Sequence, residues 1–264
     1  MSCGFSVISG QWSVKKILDN VVQTKTEDQE TLSHTFFANC QLLITHRQIT
    51  DNRKLKTQIM RLTLIRHAMT DWNATGRWQG HSDTPINALG ERQALLLRKR
   101  LEHCPFDAIY SSPLQRARRT LELASPGSKP LFDDRLKEID FGEFEARTYA
   151  ENVTHPQFSS WLSNPLKVPT PGGESLEGVV TRMMEWLEGL PPDRESEKHY
   201  LAVSHSCAIR ALISHLMNLK MVVNKWHHFP FVISPPPTSL SRLRKVGDLW
   251  TLEQLGDVGH LDLD

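Results

Sequence analysis

The sequence predicts an α/β fold, a three-layer α/β/α sandwich built on a mostly parallel sheet. Two observations carry this. From Arg61 onward, β-type runs alternate with helix-type runs, and that alternation arises when parallel strands share one sheet with helices on both faces. Turn residues punctuate the same region: all 15 prolines lie beyond residue 84, and 12 of the 14 glycines lie beyond residue 75. Residues 1–59 read differently, as an N-terminal extension that is partly disordered or loosely packed, with the main domain spanning 60–264. Within the extension, Val14, Ile17, Leu18, Val21 and Val22 recur at helical spacing, and residues 23–30 (QTKTEDQE) are polar and linker-like.

The elements come in this order. RLTLIRH, from Arg61, is a short strand. After a loop rich in Gly, Asp and Pro, Asn87 is placed to cap a helix through ALGERQALLLRKRLEH, with Leu89, Ala94, Leu97 and Leu101 on its buried side. FDAIYSS is a second strand, and PLQRARRTLELA is a helix with Pro113 in its first turn. PGGESLEGVVTRMMEWLEGL runs from a loop into a helix with Val179, Met183, Trp186 and Leu187 as its apolar stripe. HYLAVSHS is a third strand, and CAIRALISHLMNL is the helix after it. SLSRLRKVGDLWTLEQL alternates and breaks at Val246-Gly247-Asp248, as a hairpin does.

Composition narrows the function classes. Thirty-one Lys+Arg against 30 Asp+Glu leave no basic excess for a dedicated nucleic-acid binder. No apolar run approaches the roughly 18 residues of a membrane helix, and the first residues lack the basic-then-apolar order of a secretory signal. Cys3, Cys40, Cys104 and Cys207 are far apart with no C-x-x-C, so neither a disulfide framework nor a zinc ribbon is indicated. A cytoplasmic protein is expected.

In open α/β sheets ligands bind at the carboxyl ends of the strands, which directs attention to the residues just after each strand. After the first strand come Arg66 and His67, after the second Ser111-Ser112-Pro113-Leu114-Gln115-Arg116, and after the third Ser204-His205-Ser206. Two arginines and two histidines thus reach one sheet edge from separate strand ends. Arginine's planar fork suits phosphate oxygens, and histidine serves as nucleophile or proton carrier. Taken singly, each residue also fits a plain role: a solvated arginine, a packed histidine.

LIRHAMTDWNATGRWQGHSDTPINALGERQA resembles the opening block of the histidine phosphatase superfamily, which has the phosphoglycerate mutase-like fold. SSPLQRARRT resembles its second block, RLKEIDFGEFEARTYAE its acid-bearing block and LAVSHS its second-histidine block; together they cover Met60 to His260. The resemblance implies that His67 is the phosphate-accepting nucleophile. It makes Arg66 and Arg116 phosphate clamps, His205 the second phosphate-contacting histidine and Asn73 a further donor. It makes Glu138 the proton donor, favoured in its protonated form by a neighbouring phosphate dianion. Gln79, Gly80 and Ser206 are further candidates for substrate binding. Ala68 and Ser206 stand where glycine is commonest in the family, and both are small.

The implied reaction is metal-independent hydrolysis of a small phosphomonoester through a phosphohistidine, with no metal and no cofactor. The expected partner is a small molecule, with no nucleic acid and no membrane; a homodimer stays open. α-Ribazole 5′-phosphate and phosphosugars are the candidate substrates. The alternatives are a cofactor-dependent phosphoglycerate mutase, a non-catalytic module binding phosphorylated ligands, and a phosphatase of protein phosphohistidine or phosphotyrosine. Glu138 and His205 lie only 67 positions apart, and the few cations between them (Arg147, Lys167, Arg182, Arg194, Lys198) favour hydrolase over mutase. The Pro171-Gly172-Gly173-Glu174-Ser175 turn resembles one in many phosphatase members and also reads as a helix entry, with Glu174 or Ser175 near the N-terminus. Arg77 and His81 read as substrate contacts or as exposed residues. Trp161, Trp226 and His227 read as a core or lid, or as a pocket wall, and Cys207 as buried packing.

Overall fold

Leu62, Leu64 and Ile65 are fully buried on both faces of β1 (Ile59–Arg66), the strand around which the sheet is organised. The computed structural model describes residues 59–191, 196–219 and 233–261. The helical spacing at 14–22 and the residues Trp226, His227 and His228 lie outside them.

The other strands are β2 (Ala108–Ser111), β3 (Leu131–Phe132), β4 (Lys198–Ser204), β5 (Leu240–Val246) and β6 (Leu249–Asp257). They form one six-stranded sheet in the order β3-β2-β4-β1-β5-β6. The pairs β2–β3, β2–β4 and β1–β4 are parallel, whereas β1–β5 and β5–β6 are antiparallel. The sheet is therefore mixed, with the parallel part in β1 to β4 and the hairpin on one side. Gly247 takes φ +61° at the first position of the two-residue hairpin turn, where the positive φ favours glycine.

Helices α2 (Ala88–Leu101) and α3 (Gln115–Ala124) bury Leu97, Leu101, Ala117 and Leu121 against Ile65, Leu201, Val203 and Leu240. On the opposite face, α6 (Leu176–Glu188) and α7 (Ser206–Leu216) pack Val179, Met183, Trp186 and Leu212 with Leu62, Leu64, Tyr200 and Ala202. This is the α/β/α layering. Among the described residues no helix is long and apolar enough to cross a membrane.

Local details decide the helix starts. Asn87 caps α2 by accepting the Gly90 N–H at 2.9 Å, and Ser175 caps α6 by accepting that of Gly178. The buried stripe of α2 is Gly90, Ala94, Leu97 and Leu101, so the expectation for Leu89, which is 44% exposed, is corrected. Gly90 takes the inward position because the helix rests on the loop after β1: a Cβ there would lie 2.2 Å from the Met69 carbonyl oxygen. Pro113 also falls outside its helix. Leu114 is the N-cap of α3, and the first-turn N–H of Gln115 is taken by the Asp83 carboxylate from another loop. The two-residue β3 and the short helices α1 (Asp71–Ala74), α4 (Tyr149–Val153) and α5 (Phe158–Ser163) have too few residues for periodicity to register.

The register puts Arg66 beside Ser204 and Ser111 beside Val203. Three parallel strands therefore end on one edge, and the segments after them meet there.

Candidate active site

β1 ends at Arg66, and the N–H of His67 donates to the Ser204 carbonyl at 2.9 Å, carrying the β1–β4 ladder one step into the loop. The His67 ring turns back, with Nδ1 2.8 Å from the carbonyl oxygen of Ala68. A carbonyl only accepts, so Nδ1 carries the proton and Nε2 is left with a free electron pair. Burial lowers the His67 pKa well below the usual histidine value, and the charges of Arg116 and Arg66 lower it further. The ring is neutral at neutral pH. Ala68, fully buried, donates its N–H to Thr120 Oγ1, so a methyl group is accommodated at this family-glycine position.

His205 is the N-cap residue of α7, and its ring centroid lies 5.1 Å from that of His67. Arg116 Nε–H donates to His205 Nδ1 at 3.1 Å; Nε2 therefore bears the proton and donates to Ser112 Oγ at 2.8 Å. Burial, then the charge of Arg116, lowers the pKa of this ring well below the ordinary value. Both ring nitrogens are thus engaged within the protein, so the phosphate contact expected of His205 has no free ring N–H in this arrangement, and the ring packs against His67.

The two arginines differ. Arg116 is fully buried and gives its remaining bonds to the carbonyls of Ser82, Gln79 and Gly80. One of its five N–H groups, on Nη1, is left over among the described residues. Arg66 donates Nη1 to the Pro235 carbonyl at 2.9 Å, while its Nε is buried with no partner among the described residues. Burial brings both guanidinium pKa values down to about 10, which leaves them cationic at neutral pH.

Glu138 reaches the site from the segment after a 3-10 turn at Asp134–Leu136. Its carboxyl sits at the start of α7: Oε1 accepts the N–H groups of Ile139 and Ala208, and Oε2 that of Cys207, all at 3.0 Å. Oε1 is saturated by two donors, and Oε2 keeps one open lone-pair position.

Arg66, His67, Asn73, Gln79, Arg116 and Glu138 line a cleft of about 130 Å³ together with Ser206. Gln79 is held through its amide oxygen by Thr84 Oγ1, and its Nε2 is buried with no partner among the described residues. Asn73 forms a capping box with Thr70, whose N–H and hydroxyl donate to its amide oxygen. Gly80 is not part of the lining. It packs so closely on the acid-bearing segment that a Cβ would lie 2.6 Å from the Ile139 carbonyl oxygen, and its own carbonyl accepts from Arg116. Arg77 and Cys207 also line the cleft. So do Trp78 and Phe141, which sequence reasoning missed; their ring centroids are 4.9 Å apart, and their only signal was an aromatic within each of the Arg-Trp-Gln-Gly and Asp-Phe-Gly runs. Trp161 lies behind Trp78 in the core, 1% exposed. Burial raises the Cys207 thiol pKa well above its usual value, so it stays protonated.

The cleft thus combines two arginines, N–H donors without a partner among the described residues, a neutral imidazole and one carboxyl. Such a set suits an anion with tetrahedrally arranged oxygens. Among the described residues no group of three or more His, Cys, Asp or Glu could hold a metal ion.

Comparison with known proteins gives the same direction. Residues 62–258 match the family model for the histidine phosphatase superfamily (branch 1). Phosphoserine phosphatase 1 of Hydrogenobacter thermophilus is 35% identical over 167 residues, covering 62% of this chain and 79% of that protein. "Probable phosphoglycerate mutase GpmB" of Escherichia coli is 31% identical over 215 residues, covering 77% and 96%. The crystal structure of the alpha-ribazole phosphatase from Shigella flexneri superposes with a TM-score of 0.63 at 25% identity, covering 75% of this chain and 97% of that one.

Proposed function

The chain belongs to the histidine phosphatase superfamily (branch 1), and from that premise we propose that it is a phosphatase hydrolysing a small phosphorylated metabolite through a phosphohistidine on His67. One observation carries the reading: the Ala68 carbonyl holds the proton of a neutral His67 ring on Nδ1, leaving the Nε2 lone pair for the cleft.

The steps are set by the donors and acceptors. Nε2 attacks phosphorus in line and the ester P–O bond breaks, while the charge gained by the ring is spread towards the Ala68 carbonyl. Arg66, the spare N–H of Arg116 and the amides of Gln79 and Asn73 serve the phosphoryl oxygens, where catalysis is largely positioning and electrostatics. The leaving oxygen takes a proton from Glu138. Oε2 is the oxygen with a position free for that proton, because Oε1 already accepts two N–H groups. Water then attacks the phosphohistidine and returns a proton to Glu138, releasing phosphate and neutral His67. His205 supports the site from behind by orienting Arg116 and packing on His67. Ser206 and the Trp78–Phe141 wall face the leaving group, for which α-ribazole 5′-phosphate and phosphosugars are the candidates.

A mutase reading is prompted by the second relative. It needs extra cations to retain a second phosphate, and the segment between Glu138 and His205 offers few. Arg182 spends its donors on protein acceptors, and Lys198 pairs with Asp107. Hydrolysis is therefore favoured.

The test is turnover of a phosphomonoester panel in EDTA, with quenched reactions analysed for acid-labile phosphate on protein. Wild type should turn over and trap phosphate; His67→Ala should do neither. Full activity in His67→Ala would end the reading.

A further inference from the structure

The acid-bearing segment, Arg135 to Asp140, has little regular structure to satisfy its backbone. Its carbonyls are met by side chains from elsewhere, as buried acceptors require. Ser204 Oγ donates to the Leu136 carbonyl at 2.8 Å. Arg182, on the second turn of α6, serves three more. Its Nη1 donates to the carbonyls of Arg135 and Lys137, both at 2.7 Å, and its Nη2 to the carbonyl of Glu138 at 2.9 Å. Its remaining donors go to Glu174, Nη2 to Oε1 at 2.7 Å and Nε to Oε2 at 3.1 Å. All five N–H groups of this guanidinium are therefore used.

Glu174 completes the brace. Its Oε1 accepts the N–H of Asp140 at 3.0 Å, and its backbone N–H donates to the Asp140 carbonyl at 2.9 Å. The glycine before it lets this turn close on the segment: a Cβ at Gly173 would lie 2.2 Å from the Asp140 carbonyl oxygen. Neither Arg182 nor Glu174 lines the cleft. The Gly-Gly-Glu-Ser turn thus works from behind the acid, besides capping α6.

We propose that Arg182, held by Glu174, is a positioning residue for Glu138: its fork grips the backbone on both sides of the acid and keeps the carboxyl at the start of α7. This rests on the proton-donor role given to Glu138 above. Lysine, a point charge with three donors and no planar fork, cannot reproduce the grip.

The measurement is kcat/KM of the full chain for two esters. p-Nitrophenyl phosphate has a leaving group that needs no proton, and phenethyl phosphate has one that does. A displaced acid costs about 10²-fold on the second ester, the scale of a 1 Å misplacement. Arg182→Met should show that loss, with a change of less than about 5-fold on p-nitrophenyl phosphate, and should add nothing further to Glu138→Ala on phenethyl phosphate. If Arg182→Met does not fold, Glu174→Gln should show the same split between esters at smaller size. Equal slowing of both esters, or losses that multiply with Glu138→Ala, would overturn the proposal. A wild-type protein that turns over neither ester and traps no phosphate would instead remove the parent phosphatase reading.

Discussion

Nε–H of Arg116 donates to Nδ1 of His205 at 3.1 Å, and both side chains are fully buried. That bond sets the tautomer of His205 and directs its proton to Ser112. It also makes Arg116 a structural hub, because the same guanidinium holds the carbonyls of Gln79, Gly80 and Ser82.

Arg116→Ala should therefore cost stability as well as activity. It strands two buried carbonyls, a half-buried one and a buried ring nitrogen, and leaving buried groups unpaired costs about 1–3 kcal/mol each. A loss of about 3 kcal/mol or more is expected in urea denaturation. A variant with wild-type stability would mean that the hub is dispensable.

Glu138→Gln should separate substrates by leaving group. General acid catalysis is worth about 10²–10⁴-fold, so alkyl phosphates should slow on that scale while p-nitrophenyl phosphate slows little. Glutamine keeps an amide oxygen for the N–H groups of Ile139 and Ala208 and turns its NH₂ towards the N–H of Cys207 alone, where an acceptor fits better. Uniform slowing of all esters would argue against proton donation.

Mild acid should reduce stability before it reduces activity, for one reason. His67 and His205 have pKa values lowered in the folded protein by burial and by nearby arginines, and His199 is lowered by burial. Below about pH 6.5 the unfolded chain takes up protons at these rings that the folded chain refuses. Stability should therefore be flat above about pH 6.5 with respect to these groups. Below it, each of the two buried rings should remove up to about 1.4 kcal/mol per pH unit until its own folded pKa is reached. Activity should hold below pH 6.5, because His67, the proposed nucleophile, remains neutral there. Urea midpoints and initial rates between pH 5 and pH 8 would check both signs.

Gly90→Ala should destabilise, although alanine is the better helix former by about 1 kcal/mol. The added methyl would meet the Met69 carbonyl oxygen at 2.2 Å, so α2 or the loop after His67 must shift. Overpacking of this kind costs about 1–3 kcal/mol. Chemical denaturation gives the sign directly, and a rise in KM would report the displaced loop.

By itself the sequence determined what depends on near neighbours. The strand–helix alternation, the cap at Asn87, the helix entry at 171–175, the stripe of α6 and the glycine turn at 247 arise from periodicities and turn chemistry acting over a few residues. The blocks around His67, Arg116, Glu138 and His205 also marked which segments meet. Tertiary structure alone decided how those side chains are used. Arg116 is largely spent on protein carbonyls, His205 packs against His67, and Glu138 sits on the N–H groups of a helix that begins 68 residues later. Leu89 faces out because a loop from β1 occupies the place a larger inward residue would need. The physical reason is common to all of these. A buried polar group takes its hydrogen-bond partner from whatever the fold brings within about 3 Å, and no spacing along the chain encodes that distance.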